Sequence, residues 1–263
     1  MSAREGARKM DIFADYHIHT SASDGRGNVA DKFACAAARG LSEIAIADHG
    51  PASIIFHQTE RKFAAQREDI LRASAAGSVR VLGSVEANIL SEEGDLDVPR
   101  DMIERCDVLH MGFHRLISLS YVRRSPRYFL VNGWAARSAR EDEELVDFNT
   151  RAVIAAMRRY PVDVLCHPCH RALLDMRRVC AAAAELGVYI ELNEKHIDAL
   201  EDSAEIALSS GAMFILGSDA HTTDKVGLFP RVEEFVKRHS VPEERICGAG
   251  AKPVFRDKRG GER

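Results

Sequence analysis

The chain has 263 residues, of which 46% are hydrophobic and 29% are charged, which is enough to bury one sizeable core. Lysine and arginine total 36 and aspartate and glutamate total 40, so the net charge of -4 gives no electrostatic reason to expect tight, non-specific binding of nucleic acid. No apolar run reaches the roughly 18 residues of a membrane-spanning helix, and the polar residues 1–9 lack the apolar centre of a signal peptide, so we expect a soluble, cytoplasmic protein.

Short β-like runs alternate with helical patterns along the chain. Predicted strands cover residues 12–18, 43–47, 79–85, 108–112, 162–166, 188–192 and 213–216. Predicted helices cover residues 29–39, 61–76, 141–159, 173–186, 199–210 and 231–239, with a short one after Pro99. Asn28 is typical of a helix N-cap, and Gly187 of a helix end. The charged tail from residue 252 onward is predicted to fray.

Strands that alternate with helices through short links favour a parallel sheet. Seven such units without a Pro/Gly/Ser-rich linker indicate one domain over residues 1–263, with a closed or nearly closed barrel over about residues 11–240. An open doubly wound sheet is the alternative. Residues 115–138 are too long for an ordinary connection, and such loops are usually functional.

Histidine and carboxylate residues lie at the carboxyl ends of six of the seven predicted strands. In a barrel of alternating strands and helices these ends form the active-site face. Histidines that merely fill a core would have no reason to gather at one end. The residues are His17, His19, His49, Glu86, His114, His167, Asp219 and His221.

The spacing of these residues favours a metal cluster. Residues two apart in a strand point the same way, so His17 and His19 can face one ion. Imidazoles with carboxylates suit zinc, manganese or iron, and Glu86 has two oxygens with which to bridge two ions. The set exceeds the needs of one tetrahedral zinc, so we expect two or three divalent ions, zinc first.

Together the motifs resemble the PHP (polymerase and histidinol phosphatase) superfamily, and most of all its stand-alone phosphatases with a trinuclear zinc site. The motifs are Asp15-Tyr16-His17-Ile18-His19-Thr20, Ser23-Asp24-Gly25, Ile46-Ala47-Asp48-His49, Val85-Glu86-Ala87-Asn88, Gly112-Phe113-His114, His167-Pro168 and Gly217-Ser218-Asp219-Ala220-His221. The resemblance implies a distorted seven-stranded (β/α)7 TIM-like barrel and phosphoester hydrolysis.

Carried over position by position, the resemblance also implies ligand sets. One ion would be held by His17, His19, Glu86 and Asp219, a second by Glu86, His114 and His167, and a third by Asp24, His49 and His221. The trinuclear branch can carry a histidine in the turn after the first motif. This chain has Asp24 there, which makes the third ion the least secure.

The expected reaction is hydrolysis of a small phosphate monoester, by attack of a hydroxide held between the ions on phosphorus. Glu86, Asp219 and His221 are the candidate catalytic residues. The candidate phosphate contacts are Arg115, Lys195, His196 and His170. An ordinary solvated loop side chain is the alternative for each of these four. Asp15 and Asp48 are expected either to orient imidazoles or to cap backbone amides.

Three other functions remain open at this point. One is a phosphodiesterase or exonuclease acting on nucleic acid, which the acidic balance disfavours. Another is an amidohydrolase-type C–N or C–O hydrolase, although the bridging position here is a glutamate rather than a lysine. The last is a regulatory module that only holds metal, which predicts missing ligands. We expect a small phosphorylated substrate and no membrane partner.

Overall fold

The computed structural model of the protein describes residues 10–54, 58–114, 117–123, 126 and 143–258. Within them, eight parallel strands follow one another in sequence order around one sheet. The strands are β1 (Ala14–Ile18), β2 (Glu43–His49), β3 (Arg80–Asn88), β4 (Val108–Gly112), β5 (Val164–Leu165), β6 (Tyr189–Asn193), β7 (Phe214–Gly217) and β8 (Ile246–Cys247). The helices are α1 (Val29–Ala38), α2 (Glu60–Ala75), α3 (Arg100–Ile103), α4 (Leu119–Val122), α5 (Glu143–Arg159), α6 (Met176–Leu186), α7 (Ala204–Ser209) and α8 (Pro230–His239).

The sheet nearly closes into a barrel. The amides of Phe13 and Ala14 donate to the carbonyl of Gly248, at 2.9 and 3.3 Å, which brings the chain after β8 against β1. At the other end of β1, the amide of His19 donates to the carbonyl of Ala220 at 3.1 Å. The predicted class, a TIM-like α/β barrel, is confirmed.

The strand count is eight rather than seven. β8 has only two residues, too few to produce a recognisable β pattern in the sequence. It extends the sheet past residue 240, where the predicted barrel ended. That residues 1–263 form one domain stays a prediction.

Local sequence signals explain where the helices begin and end. Asn28 accepts a hydrogen bond from the Asp31 amide while the Asp31 carboxylate accepts from the Asn28 amide, so a capping box starts α1 as predicted. The Asp175 side chain caps α6 by accepting the amides of Arg177 and Arg178, and Gly187 ends the helix with φ 68°. Among the described residues, none of the helices combines the length and apolar character that a membrane crossing requires.

Side chains that alternate along the strands fill the two sides of the barrel wall. On β2, Ile44 and Ile46 pack outward against α1 and α2, while Ala45 between them belongs to the cluster that fills the interior toward the amino end. The carboxyl end of the interior is left for polar residues.

Residues 252–258 are held by contacts with the barrel, contrary to the prediction that the tail frays from residue 252 onward; residues 259–263 lie outside the described residues. The Phe255 ring packs edge-on against Tyr16 and Tyr189, with centroids 5.7 and 6.3 Å away. The Arg256 amide donates to Asp163 at 2.8 Å, and the buried Lys258 ammonium donates to the same carboxylate. Because its aromatic ring and its charge both find buried partners, the tail closes the amino end of the barrel.

Candidate metal centre

The nine predicted ligands lie together at the carboxyl end of the barrel. Six strands and the turns after them supply these side chains. His17 is on β1, His49 ends β2, and Glu86 is on β3. The other predicted residues follow the ends of β1, β4, β5 and β7; they are His19, Asp24, His114, His167, Asp219 and His221.

Glu86 is at the centre of the cluster and is fully buried. Its Oε1 lies 3.1 Å from His114 Nε2 and 2.8 Å from His167 Nε2. Two strand ends on one side of the barrel therefore aim ring nitrogens at one carboxylate oxygen.

The second oxygen of Glu86 faces the other side of the cluster. Its Oε2 lies 2.9 Å from His49 Nδ1, 3.6 Å from His17 Nε2 and 3.7 Å from His19 Nε2. One carboxylate is thus surrounded by imidazoles from four neighbouring strands, the arrangement expected of a bridging ligand.

Asp24 and Asp219 extend the cluster beyond Glu86. His221 lies between them, with Nε2 2.9 Å from Asp24 Oδ2 and Nδ1 3.2 Å from Asp219 Oδ1. His49 Nε2 lies 3.4 Å from Asp24 Oδ2, and His19 Nε2 lies 3.4 Å from Asp219 Oδ1. Asp24 is the position at which this chain departs from the trinuclear branch. It nevertheless contacts His49 and His221, the two histidines of its implied ligand set.

Among the nine predicted ligands, three overlapping groups have ligand atoms close enough to share an ion. They are His17, His19 and Glu86; His49, Glu86 and His114; and His19, Asp24, His49 and His221. The groups depart from the implied ligand sets in three respects: Asp219 is missing from the first, His49 takes the place of His167 in the second, and His19 joins the third. Asp219 and His167 lie at the edges of these groups.

The unsatisfied atoms of the cluster fit a divalent cation. Glu86 Oε2 is buried and accepts no hydrogen bond from any residue that the structure describes. His17 Nε2 and His19 Nε2 face each other at 3.1 Å. A buried carboxylate oxygen without a donor is costly, and bound metal removes that cost while using the nitrogen lone pairs.

The carboxylates of the cluster favour positive charge. Burial raises the pKa of Glu86, but the charges of His114 and His17 outweigh it and hold that pKa well below its ordinary value. Burial also raises the pKa of Asp219, but the hydrogen bonds from His19 and His221 outweigh burial and hold that pKa well below its ordinary value. Both groups are ionised at neutral pH and attract cations.

The pKa of each imidazole depends on how closely it pairs with a carboxylate. Burial lowers the pKa of His19 to about 4. Burial also acts on His49, but the Glu86 charge overcomes it and raises the His49 pKa to about 10. His221 is raised to about 9 by its hydrogen bonds to Asp219 and Asp24, against burial. Positive charge therefore gathers where the carboxylates point, which is the role a bound metal would take over.

Backbone strain marks the same end of the barrel. His167 has φ 29° and Asp219 has φ 52°, both in the left-handed region that non-glycine residues rarely adopt. Such residues cluster at functional sites because the surrounding structure must hold them there.

Asp15 and Asp48 do not touch a ligand imidazole. Asp15 accepts the amides of Ser218 and Gly227, at 2.9 and 2.8 Å. Asp48 accepts the Thr20 amide at 2.8 Å, and also the Ser23 hydroxyl. Of the two expectations for these residues, backbone and hydroxyl capping is the one observed.

Of the predicted phosphate contacts, three lie at the rim of the cluster. Lys195 Nζ lies 3.6 Å from Asp219 Oδ1, and His196 Nε2 lies 3.6 Å from Asp219 Oδ2. The rings of His170 and His196 are stacked, with centroids 3.5 Å apart. Arg115 lies outside the described residues, as does most of the long connection over residues 115–138.

Two buried residues near the ligands were missed by the sequence analysis. Glu191 on β6 pairs with His17 Nδ1 at 2.7 Å, and His110 on β4 pairs with Ser84 at 2.6 Å below the cluster. The Glu191-Leu192-Asn193 spacing at a strand end was the available signal, since residues two apart share a face.

Residues 15–237 match the model of the PHP domain family. A protein of Edwardsiella ictaluri (strain 93-146) described as "Probable phosphatase" is 30% identical over 262 residues, which cover 94% of each chain. Another so described, from Caldanaerobacter subterraneus subsp. tengcongensis, is 27% identical over 264 residues, covering 95% of this chain and 92% of the relative.

The crystal structure of the histidinol phosphate phosphatase of Lactococcus lactis subsp. lactis has a TM-score of 0.57 with this chain. The two are 13% identical, and the match covers 87% of this chain and 94% of that one. At such an identity the likeness bears on the fold alone. The family match and the 30% identical relative confirm the resemblance seen in the motifs: this chain belongs to the PHP domain family.

Proposed function

We propose that this protein is a metal-dependent phosphoesterase that hydrolyses a small phosphate monoester. The observation that carries the proposal is the position of Glu86, buried among imidazoles from four strands at the carboxyl end of a barrel. Membership of the PHP domain family and relatives described as phosphatases support it.

Two or three divalent ions would be held by the nine clustered side chains. Imidazole nitrogens with carboxylate oxygens suit zinc best, with manganese or iron as alternatives. The proposed ligands are His17, His19, Asp24, His49, Glu86, His114, His167, Asp219 and His221. The ion that would use Asp24 is proposed on the same footing as the others, because Asp24 contacts His221 and His49.

Divalent ions at this centre would polarise a phosphoryl oxygen and lower the pKa of a coordinated water from about 16 toward about 7. The protein's own contribution is to fix charge and exclude water. Glu86 and Asp219 provide buried negative charge, and His221 lies between Asp219 and Asp24. These three are the proposed catalytic residues.

Substrate phosphate would meet Lys195 at the open side of the cluster. The Lys195 side chain is 46% exposed, and its Nζ lies 3.4 Å from His221 Nδ1. An ammonium at that position can pair with a phosphate oxygen. Arg115 stays a predicted phosphate contact.

His170 and His196 are suited to neutral hydrogen bonds with the substrate. Burial lowers the pKa of His170 to about 4 and that of His196 to about 3. Both rings are therefore uncharged at pH 7, which favours positioning of the leaving group over donation of a proton by His170.

The substrate class is proposed from charge and from family. The Lactococcus lactis enzyme was crystallised with zinc, L-histidinol and phosphate, which supports a small phosphate ester here. The net charge of -4 counts against a nucleic-acid substrate. We also propose that the protein is cytoplasmic, the compartment expected from its sequence.

The test is a panel of phosphate esters assayed with zinc, manganese and iron in turn. It includes histidinol phosphate, nucleotides, sugar phosphates, a nitrophenyl monoester, a bis-nitrophenyl diester and single-stranded DNA. We expect turnover of monoesters that is lost on chelation and lost in Glu86→Ala and His114→Ala. Faster cleavage of the diester and DNA would favour the phosphodiesterase alternative. Full activity after metal removal would contradict the proposal.

A further inference from the structure

We propose that Glu191 is a positioning residue that fixes two of the metal-binding histidines, His17 and His167, in their working orientations. The inference rests on the metal centre proposed above. Glu191 lies on β6, which supplies none of the nine proposed ligands, and its residue surface is 1% exposed. Oε1 pairs with His17 Nδ1 at 2.7 Å, and Oε2 accepts the backbone N–H of His167 at 2.6 Å.

The contact with His17 determines which ring nitrogen is free. A carboxylate only accepts hydrogen bonds, so the proton of the His17 ring stays on Nδ1 and Nε2 keeps its lone pair. That Nε2 lies 3.6 Å from Glu86 Oε2 and 3.1 Å from His19 Nε2. Glu191 therefore holds His17 in the tautomer that presents a ligand atom to the cluster.

The contact with His167 acts through the backbone. His167 has φ 29°, a conformation that costs free energy and must be held by neighbouring groups. The hydrogen bond from its N–H to Glu191 is such a hold, and the ring then lies with Nε2 2.8 Å from Glu86 Oε1. One carboxylate thus aims rings from β1 and β5 at the two oxygens of Glu86.

The neighbouring strand leaves room for this carboxylate. A Cβ added at Gly217 on β7 would overlap Glu191 Oε1 and would lie 2.8 Å from the Cβ of His17. Any side chain larger than glycine at this position would displace the contact between Glu191 and His17. The contact between Glu191 and His17 therefore requires glycine at position 217.

Asn193 extends the same face of β6 toward the rim. Its Nδ2 donates to Glu191 Oε2 at 3.0 Å, while its Oδ1 accepts the amides of Lys195 and His196 at 3.1 and 3.0 Å. β6 thereby links the two oriented histidines to the turn that carries Lys195 and His196, two of the proposed phosphate contacts.

Glu191, His17 and Cys166 also lie close enough to share an ion. We assign positioning instead, because His17 Nδ1 and both Glu191 oxygens are already engaged in hydrogen bonds. A ligand role for Glu191 is an outcome of the test.

The test compares the full-length, zinc-loaded wild type with Glu191→Gln. Zinc stoichiometry and affinity are measured by chelator competition, and the His17 Nδ1–H signal by long-range ¹H–¹⁵N NMR. We expect the number of bound zinc ions to stay unchanged. The affinity for the most weakly bound zinc ion should fall by about 10–100-fold, and the His17 Nδ1–H proton should exchange faster with water. Glu191→Asp, which keeps the charge, should recover part of the affinity and gives a second reading where the glutamine variant does not fold.

Asp163→Asn is the matched control, because Asp163 is a buried carboxylate at the opposite end of the barrel. It should leave zinc affinity and the His17 signal unchanged. An unaltered affinity and His17 signal in Glu191→Gln would overturn the proposal, and so would the loss of one whole zinc equivalent, which would make Glu191 a ligand. These readouts need no substrate. A wild type that binds zinc but turns over no phosphoester would overturn the proposed function alone, and one that binds no zinc would overturn both.

Discussion

Both ends of the barrel bury a carboxylate, and the two carboxylates differ in the groups that surround them. At the amino end, Asp163 accepts the amides of Leu109 and Arg256, each at 2.8 Å, and the ammonium of Lys258. At the carboxyl end, Glu86 faces ring nitrogens, and its Oε2 has no hydrogen bond from any described residue. Burial alone therefore does not distinguish a structural charge from a functional one; the kind of partner does.

The backbone shows the same contrast. Among the described residues, four non-glycine residues have positive φ: His167, Cys169, Asp219 and Ser240. Three of them follow β5 or β7 at the carboxyl end, and Ser240 merely ends α8. Strain is concentrated where Glu86 lies, and the Asp163 end is built without it.

The largest effect is expected for Glu86→Gln, which keeps the shape and removes the charge. Since loss of an outer partner of a metal ligand already costs about 10–100-fold, we expect activity to fall by about 1000-fold, together with metal content. With chelator present, urea unfolding at neutral pH should show a loss of stability, because the histidines around Glu86 hold its pKa well below the ordinary value and so stabilise its charge in the folded state. Phosphatase assays and elemental analysis of the purified protein check this. Normal metal content would contradict the bridging role.

Asp163→Asn should affect stability but neither activity nor metal content. Removing one partner of a buried ion pair leaves the other unpaired, and we expect a loss of about 3 kcal/mol in the free energy of unfolding. Metal content and kcat/KM should not change. A double-mutant cycle with Lys258→Met measures the coupling directly. Additive effects of the two substitutions would show that the pair does not hold the tail.

Asp97 tests a hydrogen-bonded carboxylate at the Glu86 end. It accepts the amides of Ala52 and Asn88 at 2.8 and 2.7 Å. Burial raises its pKa to about 6, above the 3.8 of an ordinary aspartate, although these hydrogen bonds lower it. A pKa raised by folding means that the folded state binds the proton more tightly. The stability from this group is thus present below about pH 4 and lost as pH rises through about 6.

We therefore expect the free energy of unfolding to fall by about 2 kcal/mol from pH 4 to pH 7 through this residue. In Asp97→Asn that part of the pH dependence should vanish. Urea titrations of both proteins with metal chelated, at three pH values, compare the slopes. Equal slopes would show that Asp97 does not carry the effect.

The smallest effect is expected for Lys195→Ala at the rim. If Lys195 contacts the phosphate in ground state and transition state alike, KM should rise by about 10-fold with kcat nearly unchanged. Lys237→Ala, an exposed lysine on α8, is the matched control. A fall in kcat without a change in KM would place Lys195 in the chemical step instead.

Much of this architecture was predictable from local patterns. Seven strands, the Asn28 cap and the Gly187 helix end each depend on a few adjacent residues. The clustering of the nine candidate ligands was predictable because parallel strands place their carboxyl ends together. β8 was missed because two residues are too few to show the alternation of apolar and polar side chains that marks a strand. Its pairing with β7 is a contact that the local sequence does not reveal.

Contacts between distant residues could not be predicted in this way. Glu191 and His17 are 174 residues apart, and Asp163 and Lys258 are 95 apart. Each is a polar residue whose partner is set by barrel closure rather than by its own neighbours in sequence. The prediction that the charged tail frays was wrong for residues 252–258, because composition does not reveal that Lys258 pairs with the buried Asp163.

The central claim is that the imidazoles around Glu86 hold divalent ions. Anomalous diffraction from crystals of the active, zinc-loaded protein, collected above and below the zinc edge, tests it most directly. We expect two or three peaks, each at about 2.0–2.3 Å from ring nitrogens and carboxylate oxygens of the nine residues, with Glu86 shared between two of them. Peaks elsewhere in the protein, or none within reach of Glu86 in an active preparation, would contradict the account.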